Sequence, residues 1–280
     1  MVAYRIRQPR VADIVASRLR DDILSGRLKE GDVLPTQESL FHQFGVSPPA
    51  LREAIHLLET DGLVSVRRGN VGGAVVHLPT AERTAQMIGM VLQARAATPS
   101  DVSGALMHLE PVCAGMCAAR PDRDAEVVPV LQAEIDRQTA EFDDVSAYVP
   151  NARRFHEQLV ARCGNEPMIL LIGSLELIWS AHESSVWSGD GDRAAADGTA
   201  AAGLRTRRAA LRDHQRLLEA IRAGDTALAI RIASDHVSAA RTNTLARGTD
   251  DSGAAQKTIE ARLISNLDRR PWQTGRIDER

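Results

Sequence analysis

The segment FGVSPPALREAIHLLETDGLVSVRRGN, residues 44–70, constrains the fold of this chain most, because two prolines stand inside a run that is otherwise helical. Proline fits a helix only in its first turn, where the backbone N–H groups have no intrahelical partner. Pro48 and Pro49 therefore place the start of a helix directly after Ser47, whose hydroxyl can cap it. Gly62 marks the end of that helix.

Two helical segments precede this helix and a β-hairpin follows it. Residues 11–28 have a helical apolar period, and Thr36 can cap QESLFHQF, residues 37–44. After the helix, two apolar runs flank a glycine-rich turn at residues 67–73 and predict a hairpin. We expect inward-facing side chains at Ile14, Val15, Leu19, Ile23 and Leu24 in the first helix, Leu40 and Phe44 in the second, and Leu51, Ile55 and Leu58 in the third.

This order of elements is the layout of a winged helix-turn-helix, which is a DNA-binding unit. Its third helix would face the major groove, where Arg52 can contact a guanine edge or a phosphate. Residues 1–78 carry 10 Lys or Arg and 9 Asp or Glu, so DNA binding would depend on the placement of single arginines. The candidate DNA-binding residues are Thr36, Ser47, Ala50 and Arg52, with Arg67, Arg68, Gly69 and Asn70 at the hairpin tip.

The rest of the chain predicts helices only. Pro79 ends the last strand and Thr80 can cap a new helix, so we place a domain boundary there. The fold class is therefore mainly α, with an N-terminal winged helix-turn-helix (1–78), a C-terminal all-α helical bundle (79–246) and a poorly ordered tail (247–280). The low-complexity segment 188–203 predicts a mobile loop. Predicted helices cover 81–94, 100–119, 122–142, 151–163, 167–187, 204–223 and 225–246.

Composition favours a cytoplasmic protein. No run of 18 apolar residues is present, so no membrane span is expected. The N-terminus, MVAYRIRQPR, lacks the apolar region of a secretory signal. The three cysteines, Cys113, Cys117 and Cys163, have no zinc-finger spacing and fit reduced core residues.

Three histidines lie in step with apolar residues on three separate predicted helices. They are His156 in RRFHEQLVARCGN, His214 in LRDHQRLLEAIRAGD and His236 in AIRIASDHVSAA. Inward-facing imidazoles suit a divalent metal, Zn²⁺ or Ni²⁺, with open positions for a carboxylate or water. An apolar pocket whose histidines bind a ligand directly is the alternative. His108 and His182 could also line that pocket, and an arginine could bind the carboxylate, but we expect surface positions for both histidines and for Arg153, Arg154, Arg162 and Arg212.

Both halves of the chain resemble parts of one known family. GDVLPTQESLFHQFGVSPPALREAIHLLETDGLVSVRRGNVGGAVV resembles the N-terminal domain of the GntR family of bacterial transcription regulators. The histidine motifs of residues 81–246 resemble the FCD ligand-binding domain of its FadR-like branch, and Glu110 in LEPVCAGMCAAR matches that domain's glutamate. The resemblance implies DNA contacts by Arg52, Arg68 and Gly69.

This chain departs from the family pattern at positions that matter for binding. Pro48 stands where an arginine is usual, and Glu38 where a basic residue sometimes occurs. In the family, the three histidines bind metal together with an aspartate one helical turn before the first of them. Ala152 stands at that position here, so the resemblance implies a three-histidine site.

These features predict a homodimer that binds operator DNA and responds to a small organic acid, whose carboxylate completes the metal coordination. A regulator for which the metal itself is the signal is one alternative. A metal-dependent hydrolase or lyase is another, but it needs a general base, and Glu157 points off the face of His156. Metal affinity should fall as the pH drops through about 6.5, because only neutral imidazole binds metal.

Overall fold

The computed structural model describes residues 10–67, 73–187, 199–247 and 258–259. The chain divides into two compact units, Met1–Thr80 and Ala81–Arg280. The predicted fold class is confirmed: the chain is mainly helical, with a helix-turn-helix unit that carries a small two-stranded wing and a second unit that is helical.

The first unit contains three helices and a hairpin. They are α1 (Val11–Leu24), α2 (Gln37–Phe44), α3 (Pro48–Thr60), β1 (Val64–Arg67) and β2 (Gly73–Val76). The two strands are antiparallel, with Val64 opposite Val76, and Val33 adds an isolated bridge to Val75. The wing is thereby attached to the chain that leads into α2.

The two proline residues occupy the first turn of α3, as predicted. Ser47 precedes them and its hydroxyl oxygen accepts a hydrogen bond from the Ala50 N–H at 3.5 Å. Gly45, at a φ of 63°, ends α2 in a conformation that favours glycine. The short turn between α2 and α3 is therefore set by a glycine at one end and a capped proline start at the other.

The core of the first unit lies between α1, α3 and the hairpin. The inward prediction is confirmed for Leu51, Ile55 and Leu58, but it was wrong for Ile14 and Leu24, which are 56% and 57% exposed. The buried stripe of α1 instead uses small side chains between larger ones. It consists of Ala12, Val15, Ala16, Leu19 and Ile23.

The second unit is built around one central helix. Helix α5 (Pro99–Ala119) packs against four other helices, α8 (Val145–Ala161), α9 (Glu166–Trp187), α10 (Thr199–Arg222) and α11 (Thr226–Arg247). Its three-residue connection from α4 (Ala81–Ala94) ends at the cap Thr98. The remaining helices are α6 (Arg123–Glu126) and α7 (Val128–Ala140).

Several predicted boundaries in this unit were wrong. The segment 122–142 is two helices that meet at Val127, and α8 starts at Val145 with Pro150 inside it. The last residues of the predicted loop 188–203 belong to α10, while 188–198 lie outside the described residues. The tail prediction for 247–280 also falls mostly outside them. Ile259 is buried against the helical core, and its N–H donates to the Ala97 carbonyl at 2.9 Å.

Helix α5 is long and apolar enough to cross a bilayer by length and composition, with a mean hydropathy of 1.2. More than half of it, 56%, is buried inside the unit. Cys113 and Cys117 on this helix, together with Cys163, are buried free thiols, as predicted. Burial on this scale is typical of the central helix of a bundle.

The buried stripe of α1 predicts unequal effects of two truncations on the first unit. Leu19→Ala empties a site that is 3% exposed and should lower the free energy of unfolding by about 2–5 kcal/mol. Ile14→Ala should change it by about 0.5 kcal/mol or less, because surface substitutions have small effects. Urea unfolding followed by circular dichroism measures both. Trp179, Trp187 and Trp272 all lie after residue 80, so tryptophan fluorescence serves as the control for the second unit. A larger loss in Ile14→Ala would contradict this orientation of α1.

Candidate metal centre and cavity

Three imidazoles from three helices meet inside the second unit. His156 comes from α8, His214 from α10 and His236 from α11. Their Nε2 atoms form a triangle with sides of 3.1 Å between His214 and His236 and 3.3 Å for each of the other two pairs. The predicted convergence of these three residues is therefore present in the structure.

The size of this triangle fits a metal ion. Zn²⁺ binds imidazole nitrogen at about 2.1 Å, so ligand nitrogens lie about 3.0 Å apart in octahedral and about 3.4 Å apart in tetrahedral geometry. The three observed separations fall between these limits. The three nitrogens would therefore suit one divalent ion, which would supply a Lewis acid at this point.

The other ring nitrogen of each histidine faces an oxygen atom. His156 Nδ1 lies 2.5 Å from Glu110 Oε1, His214 Nδ1 lies 2.8 Å from Gln138 Oε1, and His236 Nδ1 lies 3.6 Å from an Asp213 carboxylate oxygen. Glu110 and Gln138 are placed to accept the Nδ1 protons of His156 and His214, which leaves those Nε2 lone pairs directed at the centre, and the Asp213 carboxylate faces His236 Nδ1 beyond hydrogen-bond distance. Partners of this kind fix the tautomer and the ring orientation of metal-binding histidines.

Aromatic packing holds the rings in place. The Phe155 ring stacks on His214 with centroids 4.1 Å apart, and the rings of His156 and His236 stack at 5.1 Å. His214 is 1% exposed and His236 is 5% exposed. The centre is thus shielded from water on the core side.

Burial changes the protonation of the centre. Desolvation lowers the pKa of His156 and His236, and it lowers the pKa of His214 well below the usual histidine value. Desolvation also raises the pKa of Glu110 to about 7 and that of its hydrogen-bonded neighbour Glu176 well above the usual value. We assign the proton to Glu176, so that Glu110 remains the acceptor for His156. All three imidazoles are then neutral at pH 7, the form that binds metal.

A cavity of about 390 Å³ adjoins the histidines. Ala152, at the position of the family's aspartate, is part of its wall and offers no ligand atom. The wall combines apolar side chains such as Leu106 and Trp179 with arginines, among them Arg153 and Arg241. A concave apolar site with a few converging polar groups is the usual form of a small-molecule site.

Two residues expected at the surface are buried. Arg153 is 8% exposed and pairs with Glu183 at 2.6 Å, and His182 is 5% exposed beside Trp179. Their helices turn these faces into the cavity wall or the core. The surface expectation is confirmed for His108 and Arg212, which are exposed, whereas Arg154 and Arg162 are half-buried.

The sequence did not reveal the oxygens that orient the histidines. Gln138 lies on α7, far from His214 in the chain, and no motif marks it. Asp213 directly precedes His214, but its contact is with His236 on the next helix. Glu110 was matched to a family glutamate without a role. Only the packing of helices brings these groups to the rings.

Two family profiles match the chain. The profile described as "Bacterial regulatory proteins, gntR family" matches residues 12–75, and the FCD domain profile matches residues 101–239. The chain belongs to the GntR family, with an FCD domain in its second unit.

Curated relatives of this GntR regulator match it over short stretches. The HTH-type transcriptional regulator Mce2R of Mycobacterium tuberculosis is 41% identical over 61 residues, which are 22% of this chain and 25% of the relative. The Uxu operon regulator of Haemophilus influenzae is 40% identical over 65 residues, covering 23% and 24%. The matches thus span about a quarter of the length of these relatives.

One solved structure resembles nearly the whole fold. Streptococcus agalactiae GntR superposes with a TM-score of 0.63 at 20% sequence identity, over 83% of this chain and 99% of that one. At this identity the likeness concerns the fold alone. The two profiles and the curated relatives support a GntR-family transcription regulator with an FCD effector-binding domain.

The candidate DNA surface of this GntR regulator lies at the start of α2 and α3. Arg52 is exposed, and its Nε donates to the Pro48 carbonyl at 3.4 Å. Thr36 and Ser47 are exposed helix caps, and Ala50 is half-buried. Arg67 is the last residue of β1. The predicted wing-tip residues Arg68, Gly69 and Asn70 lie outside the described residues.

The lowered histidine pKa values predict that the centre keeps its metal affinity at mildly acidic pH. Since the buried rings stay neutral below the ordinary pKa of about 6.5, the affinity for Ni²⁺ should change little between about pH 7.5 and pH 6.5 and fall only below that range. This places the fall lower than the sequence alone suggested. Calorimetric titration of the metal-free protein across pH measures it. A steep fall centred at about pH 6.5, as for exposed histidines, would contradict the assigned burial.

Proposed function

We propose that this GntR regulator acts as a cytoplasmic homodimer that binds operator DNA, and that binding of a small organic acid changes its affinity for that DNA. The acid would bind a divalent metal, Zn²⁺ or Ni²⁺, held by His156, His214 and His236. The observation that carries this proposal is the convergence of three neutral Nε2 atoms beside a cavity. This arrangement provides ligands for a metal ion and, directly beside them, space for an organic acid.

The metal would supply a Lewis acid for an oxygen of the effector. Ala152 leaves one side of the centre without a protein ligand, so a carboxylate can enter there. Glu110, Gln138 and Asp213 would keep the rings aligned in both the free and the bound protein. The protein itself then determines the orientation of the effector through the cavity wall.

The first unit, which we assign to residues 1–78, would read the operator with α3. Arg52 and the capped N-terminus of α3 would contact bases or phosphates. The predicted contact residues Thr36, Ser47, Ala50 and those of the wing would position the helix on the duplex. Two half-sites require two reading units, so the second unit, 79–246, would also form the dimer.

A regulator that responds to the metal itself is the second candidate, because three histidines and open positions can bind an ion without an organic acid. The geometry gives less support to a hydrolase or lyase. Glu110 and Asp213 contact the Nδ1 side of the rings, away from the open side of the centre. Glu176 lines the cavity, but desolvation raises its pKa, which disfavours the charged form that a base requires.

The DNA-reading role of α3 predicts a specific loss in Arg52→Ala. If Arg52 contacts a base, operator binding should weaken by about 1–3 kcal/mol, with little change in binding to unrelated DNA. Fluorescence anisotropy on a genomic fragment that the protein selects from sheared DNA measures both. Arg18→Ala, an exposed arginine on α1 that pairs with Asp22, is the control for lost charge. Equal losses of operator affinity in Arg52→Ala and Arg18→Ala would contradict a base-reading role of α3.

The metal centre predicts that any one histidine is required for tight binding. His156→Ala, His214→Ala and His236→Ala should each lose bound metal or bind it with sharply lower affinity, because two imidazoles hold an ion less tightly than three. His108→Ala, an exposed histidine of α5, should behave as the wild type. Elemental analysis and calorimetry with Ni²⁺ give the result. Metal retained by all three variants would exclude this centre.

The open side of the centre is tested by Ala152→Asp. A carboxylate one helical turn before His156 lies on nearly the same face, so it should raise metal affinity and weaken the binding of organic acids. Thermal shifts with metal, and with metal plus acids, separate the two candidate signals. If the acids add nothing to the shift or to the change in DNA affinity, the metal alone is the signal.

A further inference from the structure

Two helical stretches of the cavity wall lead away from the histidines. Its wall follows α11 from His236 to Thr244 and α10 from His214 back to Arg205. At 1.5 Å per residue these stretches are about 12 and 13 Å long. A tight turn at Gly224, with a φ of 71°, reverses the chain between the two helices, so both stretches lead in the same direction.

The cavity wall also holds the guanidinium of Arg241, which has no carboxylate partner among the described residues. Arg241 Nε donates to Ser103 Oγ at 3.1 Å, and Nη2 donates to Ser100 Oγ at 2.8 Å. Among the described residues, Arg241 forms no ion pair. Arg153, on the same wall, is neutralised by Glu183. The half-buried charge of Arg241 is thus held in position by two hydroxyls but not compensated.

The histidines and Arg241 are separated by an apolar stretch. Leu106, Trp179 and Val237 line the cavity between the histidines and Arg241, together with alanines of α10 and α11. On α5, the side chain that contacts His156 is Glu110 and the one that contacts Arg241 is Ser103. These residues are about 10 Å apart along the helix axis.

We propose that the effector is an α,ω-dicarboxylate: one carboxylate binds at the metal, the second binds Arg241, and the chain between them lies along Leu106 and Trp179. This inference rests on the proposed function and names the class of acid. Arg241 keeps N–H groups that are not used by the serines, and a guanidinium binds a carboxylate through two parallel hydrogen bonds. An anion there compensates a charge that has no partner in the described part of the chain.

The distance between the metal centre and Arg241 sets the length of the ligand. That distance is about 10 Å by the spacing of Ser103 and Glu110 on α5, and about 7.5 Å by the spacing of His236 and Arg241 on α11. The metal–oxygen bond takes about 2 Å of it and the hydrogen bonds to Arg241 take about 3 Å, which leaves about 3–5 Å for the acid, the span of a chain with about two to three methylene groups. Shorter acids cannot reach both ends, and longer ones must fold within the cavity.

Calorimetry on the Ni²⁺-loaded, full-length protein tests this inference. The probes are the linear dicarboxylates from succinate to suberate, each compared with the monocarboxylate of the same carbon number. Dicarboxylates should bind at least about tenfold more tightly at the best length, since a hydrogen-bonded ion contact contributes about 1.5–3 kcal/mol. The preference should be largest for the short members of the series, with two or three methylene groups, and should decline towards suberate.

Variants of Arg241 separate this contact from general charge effects. Arg241→Gln should abolish the preference, with metal content and monocarboxylate affinity unchanged. Arg208→Gln, which removes an exposed charge of α10 outside the cavity wall, should retain it. Arg241→Lys, which keeps the charge but not the planar fork, should retain part of the preference and remains informative if the glutamine variant unfolds.

The outcomes distinguish this inference from the function on which it rests. Equal affinity for the two classes of acid, or a preference that persists in Arg241→Gln, overturns the assignment of Arg241 while acid binding at the metal still stands. Binding of neither class to the Ni²⁺-loaded protein overturns both. Loss of monocarboxylate binding on removal of the metal, with the dicarboxylate preference lost in Arg241→Gln, supports both ends of the site.

Discussion

The interior of the second unit depends on three imidazole nitrogens that face one another at 3.1–3.3 Å. Without a proton or a cation between them, converging lone pairs in a buried site repel, and each neutral ring must still satisfy its Nδ1–H. Glu110 and Gln138 provide those acceptors for two of the rings and Asp213 faces the third, so three further helix positions are committed to the same centre. The apolar core therefore surrounds a polar centre, and a metal ion bound by the three histidines would connect α8, α10 and α11 directly. Metal binding and the stability of this unit are then coupled, as they are wherever a protein brings its ligands together only on folding.

The first unit could be predicted from the sequence almost completely because its signals are local. Two prolines after Ser47 permit one start for α3, and Gly45 permits one end for α2. The errors on α1 have a physical reason: Ile14 and Leu24 are apolar, but a helix buries only one stripe, and Ala12 and Ala16 allow closer packing there. How closely two helices pack depends on the sizes of the side chains that meet between them. The apolar period of a single helix does not give this information.

The metal centre was predictable only in part. Helical periodicity places each histidine on an inward face, but it does not give the angle between helices, so the acceptors on α5 and α7 could not be paired with particular rings. Arg153 was misplaced for the opposite reason: a charged residue is assigned to the surface unless a buried partner is known, and its partner Glu183 lies on another helix. Arg241 shows the same limit, because its position depends on Ser100 and Ser103, which are remote in the chain.

A ligand shifts a conformational equilibrium only by the difference between its affinities for the two states. An acid bound at the metal alone contacts the helices that already meet at the histidines, so it discriminates weakly between arrangements of α5 and α11. A dicarboxylate would also contact Arg241 of α11, whose guanidinium is held by Ser100 and Ser103 of α5, so its binding would depend on whether α5 and α11 are packed together at this point. Coupling energies of about 1–3 kcal/mol are typical of such switches, and a single ion-paired hydrogen bond that forms in one state only is of that size. The second anionic contact would thus be the part of the ligand that carries the signal.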